Sequence, residues 1–176
     1  VLSTIMSGMK INASLTHVDL SDNDIRRVPS MKLIAKYLSS NPSLIELNLS
    51  NNGIPAKPVG MLIESLKKNT TLQHLSLRRN SISDKSTPAF IDALQNNTTL
   101  LTLDLQLNNL KVKTGRKPIL MAMCDTSSLD SIVNNSNHTC SVLLSDKNYG
   151  MSTLENKRAR YWQDPNSWIN LPFVEM

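Results

Sequence analysis

Leu72-Gln73-His74-Leu75-Ser76-Leu77-Arg78-Arg79-Asn80-Ser81-Ile82 is the stretch that decides the fold. Leu75 and Leu77 alternate with polar residues, as a strand with one buried face requires, and Asn80 marks the point where the chain turns away. The same spelling, L-x-x-(L/V)-x-L-x-x-N-x-(I/L), stands at Leu15-Val18-Leu20-Asn23-Ile25, Leu44-Leu47-Leu49-Asn52-Ile54 and Leu100-Leu103-Leu105-Asn108-Leu110. The first leucines are 29, 28 and 28 residues apart, and a degraded copy is expected 29 residues further on as Leu129, Ile132, Asn134, Asn137 and Thr139. Such a period means a stack of like units, each unable to bury its apolar face alone.

The second half of each unit changes period. Met31, Ile34, Ala35 and Leu38 follow i, i+3, i+4, i+7; adding 28 gives Val59, Leu62, Ile63 and Leu66, then Thr87, Phe90, Ile91 and Leu94. These are amphipathic helices. Pro29, Pro58 and Pro88 fall in their first turns, where a missing N–H costs little, and Asn41, Asn69 and Asn97 end them at a fixed offset. Leu2, Ile5, Met6, Met9 and Asn12 stand 29 positions before Met31, Ile34, Ala35, Leu38 and Asn41. The chain is therefore expected to begin inside the helix of an earlier repeat, as part of a longer protein.

The 176 residues are 40% apolar but only 4% aromatic, which suits a leucine-filled stack. No run of about 18 apolar residues occurs, so no membrane span is expected. The formal charge of +5 comes from lysines and arginines spread through the repeats with few aromatics between them, a pattern that makes nucleic acid an unlikely partner. Cys124 and Cys140 have neither metal-ligand spacing nor a disulfide framework, so two reduced thiols and an intracellular, cytoplasmic setting are expected. Asn-x-Ser/Thr triplets at Asn12, Asn48, Asn69, Asn97, Asn134 and Asn137 read as by-products of the repeat, not sugar acceptors.

Strand then helix, repeated, places parallel strands on one side and helices on the other. Strands pack about 4.8 Å apart and helices about 8–10 Å, so the stack bends with its strands inside. Asn23, Asn52, Asn80 and Asn108 form a ladder whose amides satisfy backbone groups left open by the turn. Removing one rung, as in Asn80→Leu, is expected to cost about 1–3 kcal/mol.

Asn41-Pro42-Ser43-Leu44-Ile45-Glu46-Leu47-Asn48-Leu49-Ser50-Asn51-Asn52 and Asn69-Thr70-Thr71-Leu72 through Asn80 resemble the ribonuclease-inhibitor-like subclass of leucine-rich repeat, over roughly Leu2 to Thr139. The resemblance implies an α/β leucine-rich repeat solenoid, a right-handed β-α superhelix with parallel strands on the concave face and helices on the convex face. Residues 1–140 would form the array, with a partial first repeat, four full ones and a degenerate fifth. Residues 141–176, which hold five of the seven aromatics and the helix-opening Ser152-Thr153-Leu154-Glu155, would form a C-terminal cap or tail with a short helix. Proteins of this kind, such as ribonuclease inhibitor, tropomodulin and the Ran GTPase-activating protein, mostly bind other proteins. The resemblance therefore implies a protein-interaction module, with a regulator of a GTPase as the alternative and a structural spacer as a third reading.

The strand residues that alternate with the leucines form columns across the concave face. His17, Glu46, His74 and Thr102 make one; Asp19, Asn48, Ser76 and Asp104 the next; then Ser21, Ser50, Arg78 and Gln106; then Asp22, Asn51, Arg79 and Leu107. Acidic residues gather at the first repeat, while Arg78 and Arg79 bring positive charge at the third, a polarity suited to a charged protein partner. Lys111, Lys113, Arg116 and Lys117, with no carboxylate between Asp104 and Asp125, form a second candidate, an anion-binding rim loop. No catalytic constellation emerges. His17 and His74 would stand about 10 Å apart, too far to share a proton or metal, and no nucleophile has an orienting base. No cofactor or metal is expected.

Overall fold

A computed structural model describes residues 8, 12, 14–123 and 140–144. The expected early helix from Leu2, the copy at Leu129 to Thr139, Cys124, Asn134, Asn137 and the tail beyond 144 lie outside the described residues. In order, the elements are β1 (His17–Asp19), α1 (Val28–Ser40), β2 (Glu46–Asn48), α2 (Ala56–Leu66), β3 (His74–Ser76), a 3-10 turn (Asp84–Ser86), α3 (Thr87–Asn96), β4 (Thr102–Asp104), a π-helical turn (Val112–Arg116), α4 (Lys117–Ala122) and β5 (Ser141–Leu143). The strands lie in one parallel sheet in chain order, β1 to β5, with each helix crossing over to the next strand. Equivalent positions pair without slippage: Val18 faces Leu47, Leu47 faces Leu75, and Leu75 faces Leu103.

The core lies between sheet and helices. Leu44, Leu47, Leu49, Ile54, Val59, Leu62, Ile63, Leu72, Leu77, Ile82 and Phe90 are almost wholly buried, and the helical stripe read from the sequence supplies the opposing layer. Pro29 and Pro88 fall in the first turns of α1 and α3, and Pro58 is buried in that of α2.

The asparagine ladder ties each repeat to its predecessor. Asn52 Oδ1 accepts from the backbone N–H of Asn23 (2.9 Å) and Ile25 (3.0 Å), while its Nδ2 donates to Leu20 and Leu49 carbonyls. Asn80 repeats this on Asn52 N–H (3.1 Å) and Ile54 N–H (2.9 Å), with Nδ2 on Leu49 and Leu77 carbonyls. Asn108 accepts from Ile82 N–H (3.1 Å) and donates to Leu77 and Leu105 carbonyls. All three rungs are buried, whereas Asn23 is exposed.

A second ladder closes the other end of the strands. The side-chain oxygens of Asn41, Asn69 and Asn97 accept from the N–H of Leu44 (2.6 Å), Leu72 (2.7 Å) and Leu100 (2.8 Å). Asn69 Nδ2 donates to Leu38 O (2.8 Å) and Asn97 Nδ2 to Leu66 O (2.7 Å), capping carbonyls at the end of the preceding helix. These amides are occupied within the fold, as is Asn48 Nδ2 on Asp19 (3.2 Å).

The sheet corrects the sequence reading at its last place. The strand beside β4 is Ser141–Leu143, so the step from Thr102 to Ser141 is 39 residues where His74 to Thr102 is 28. The sheet thus runs past residue 140: Val142 and Leu144 are buried in the core, and burial pushes the Cys140 thiol before them up to about 12. Parallel pairing needs only that the crossover be long enough, so a longer fifth crossover is accepted by the sheet and invisible to a fixed period.

Asp22, Asn51, Arg79 and Leu107 share one position just after the strands, and all adopt left-handed backbone, with φ of 59°, 54°, 53° and 57°. Asn and Asp tolerate that region; leucine pays sterically for it. Leu107→Asn is expected to stabilise the protein by about 1 kcal/mol, raising Tm by about 2–4 °C in a thermal melt. An unchanged or lowered Tm would show that the turn does not strain the leucine.

Candidate protein-interaction face

The open face of the sheet carries the columns read from the sequence, held in register by strand pairing. His17 stands opposite Glu46, Glu46 opposite His74, and His74 opposite Thr102; the next column runs Asp19, Asn48, Ser76, Asp104. Side chains in these columns bond sideways across repeats. Asn48 Nδ2 donates to Asp19 Oδ2 (3.2 Å), the hydroxyls of Ser50 and Ser76 share a hydrogen bond (2.8 Å), and His74 Nδ1 lies 2.8 Å from Thr102 Oγ1. Arg78 Nη1 donates to Gln106 Oε1, which fixes the guanidinium across the third and fourth repeats. Gln106 N–H in turn donates to Asp104 Oδ1 (2.9 Å).

Charge is unevenly spread over this face. Asp19, Asp22 and Glu46 are exposed at the first two repeats, and Asp19 is held below the usual carboxylate range by hydrogen bonds from Ser21, with Asn48 adding to them. His17 Nε2 lies 3.8 Å from Glu46 Oε2, a pair that is ionic only when the imidazole is protonated. Arg78 is half-buried and Arg79 exposed in the third repeat.

Two features depart from the sequence reading. The column Asp22, Asn51, Arg79, Leu107 does not continue the strands: it sits in the left-handed turn at their exit, where Asn51 Nδ2 donates to Asp22. The columns also gain a fifth member that the fixed period missed, since Ser141 stands opposite Thr102 and Leu143 opposite Asp104. Leu143 is exposed, so a polar column ends on an apolar side chain. Its signal in the sequence is Val142-x-Leu144, the same alternation as Leu103-x-Leu105 at an irregular distance.

The basic rim is corrected more substantially. Residues expected in a loop form a π-helical turn, closed by hydrogen bonds from Gly115 and Arg116 N–H to Lys111 O (both 2.9 Å), and Lys117 opens α4. A carboxylate does reach them. Asp84, 27 residues before Lys111, accepts from Lys111 N–H (2.8 Å) and from the Thr114 hydroxyl. A Cβ on Gly115 would lie 2.5 Å from Asp84 Oδ1, so the close approach requires glycine there. The Thr114 bond holds Asp84 below the usual carboxylate range, with Lys111 and Arg116 adding to the effect. Its contribution to stability is present above the ordinary carboxyl pKa and is lost as pH falls through the lowered one.

Residues 12–26, 40–55, 68–86 and 96–113 match the family described as Leucine Rich repeat. The fold is similar to that of leiomodin-1 actin-binding site 2, at 18% sequence identity and a TM-score of 0.62 over 90% of this chain and 82% of that one. It is also similar to the tropomodulin C-terminal domain from Caenorhabditis elegans, at 11% identity and a TM-score of 0.68 over 92% of this chain and 90% of that one. No curated protein matches the sequence. At these identities the likeness is one of fold. Among the described residues no helix is long and apolar enough to cross a membrane.

Proposed function

We propose that this chain, a leucine-rich repeat protein of the ribonuclease-inhibitor-like type, docks a protein partner through the open face of its sheet, with Arg78 at the centre of the contact. The observation that carries the reading is the Arg78–Gln106 bond: a half-buried guanidinium is held in place by the neighbouring repeat, on a sheet whose other polar side chains are tethered sideways. A charged group already ordered loses little freedom on binding, and arginine in such a position is a common interface hot spot. Asp19, Asp22 and Glu46 at one end and Arg79 near the other make the face a dipole, so the partner presents acidic residues opposite Arg78 and Arg79 and basic ones opposite the first repeats. His74, Ser76, Thr102, Asp104 and Gln106 supply the polar surround. An intracellular setting belongs to the same reading, since two cysteines in the whole chain make no disulfide framework.

Actin is the first partner to test, because the leiomodin-1 domain that this fold is similar to is an actin-binding site. Co-sedimentation with filaments and fluorescence titration with monomers answer that directly. In parallel, the proteins captured from cell lysate by the wild type are compared with those captured by the Arg78→Ala/Arg79→Ala variant. Loss of the two arginines is expected to weaken the specific partner at least about tenfold, in line with an interface hot spot. Capture that is unaltered by the double substitution would remove the basis for the sheet-face reading.

A further inference from the structure

The π-helical turn and α4 carry a surface that the sheet-face reading does not use. Lys111, Lys113 and Lys117 are exposed there, and none of their ammoniums is in an ion pair among the described residues. Lys85, next to Asp84 in the 3-10 turn, is exposed as well. Asp84 takes its hydrogen bonds from a backbone N–H and a hydroxyl, so one carboxylate stands against these lysines and Arg116, and the local charge stays strongly positive.

Apolar side chains are interleaved with those lysines. Val112, Leu120 and Met121 are 49%, 37% and 55% exposed, half of the large hydrophobics exposed among the described residues. Lys117, Leu120 and Met121 stand at i, i+3 and i+4 in α4 and so share a face, while Ile119 points inward with no exposure. A single exposed aliphatic needs no explanation, but three set among exposed lysines form a mixed surface.

We infer that this rim and the α4 face dock onto an anionic lipid bilayer. Lysines alone would suit any polyanion; the aliphatics choose between them. At a bilayer surface the ammoniums sit among anionic headgroups while Val112, Leu120 and Met121 enter the acyl boundary, so both halves of the surface gain. On a nucleic acid the aliphatics would stay wet, and none of these residues is an aromatic on which a base could stack. The surface belongs to the helix layer, so the open face of the sheet stays available to a protein partner. Affinity depends on several lysines acting together, each contributing about a fivefold factor, and falls steeply with salt.

The test is vesicle flotation of the full chain with phosphatidylcholine alone and with about 30% phosphatidylserine, at salt of about 0.1 M and about 1 M. Two variants accompany it, Lys111→Glu/Lys113→Glu/Lys117→Glu and Leu120→Ser/Met121→Ser, each checked for unchanged folding by circular dichroism. Binding is expected to anionic vesicles only, to vanish at high salt, to fall by about a hundredfold or more in the charge-reversed variant, and to weaken several-fold in the serine variant. Absence of binding to anionic vesicles at low salt would overturn the inference. So would equal binding to neutral ones, full retention by the charge-reversed variant, indifference to the serine substitutions, or lysine-dependent capture of duplex RNA or DNA without any vesicle binding.

Discussion

Asn80→Leu is expected to lower the free energy of unfolding by about 4 kcal/mol, above the value expected from the sequence because two buried donors lose their acceptor at once, and a large fraction of the whole for a domain of this size. Leucine keeps the branching of asparagine with bulkier methyl ends, so no cavity opens and the main loss is one of hydrogen bonding. Asn80 Oδ1 accepts from the buried N–H groups of Asn52 and Ile54, and each donor left without a partner costs about 1–3 kcal/mol. The carbonyls suffer less: Leu49 O keeps Asn52 Nδ2 and Leu77 O keeps Asn108 Nδ2, since adjacent rungs share acceptors. Asn23→Leu is the internal control. Its amide is exposed and reaches Ser21 O (2.6 Å) in its own repeat, so the loss there is expected to stay within about 1 kcal/mol. Urea denaturation of both variants checks the pair, and equal shifts of the two midpoints would show that cross-repeat bonding is not what the rung contributes.

Phe90→Ala is expected to cost about 3–5 kcal/mol, by loss of buried apolar surface and by the cavity left behind. Phe90 has no exposure and lines one apolar space of the core with Ile63 and Leu66 of α2, Leu94 of its own repeat, and Leu100 and Leu103 of the next. The equivalent positions 28 and 56 residues earlier hold Leu62 and Ile34, so the helix layer accepts an aliphatic at this site elsewhere in the stack. Phe90→Leu is accordingly expected to cost only about 1–2 kcal/mol. Because each repeat leans on its neighbours, the alanine variant should also lose protection from hydrogen exchange in α2, not only in α3. If alanine and leucine gave the same midpoint in denaturant, the aromatic ring would not be the element filling that space.

The columns of the open face could be read from the chain because they follow from position in the repeat. Strand alternation gave His17, Glu46, His74 and Thr102 as one column, and the sheet pairs them in that order. Spacing could not reveal the sideways bonds, because Arg78 and Gln106 are 28 residues apart and nothing local says which rotamers meet. Nor could it show Asp84 under the basic rim: the carboxylate comes from the preceding repeat, and a charge count along the chain does not see across a stack.

The sequence by itself determined the unit: a short strand with inward leucines, a turn closed by asparagine and a helix with one apolar stripe. Those features arise from backbone periodicity and turn chemistry, which act over a few residues. Tertiary structure decided what equal residues are worth. Asn23 and Asn80 have the same spelling, yet among the described residues only Asn80 of the two accepts N–H groups from the preceding repeat; Ser141–Leu143 joins the sheet because a parallel strand is chosen by its edge partner and not by its distance along the chain. The physical reason is that hydrogen bonds and charges act through space, whereas the repeat pattern records only order along the backbone.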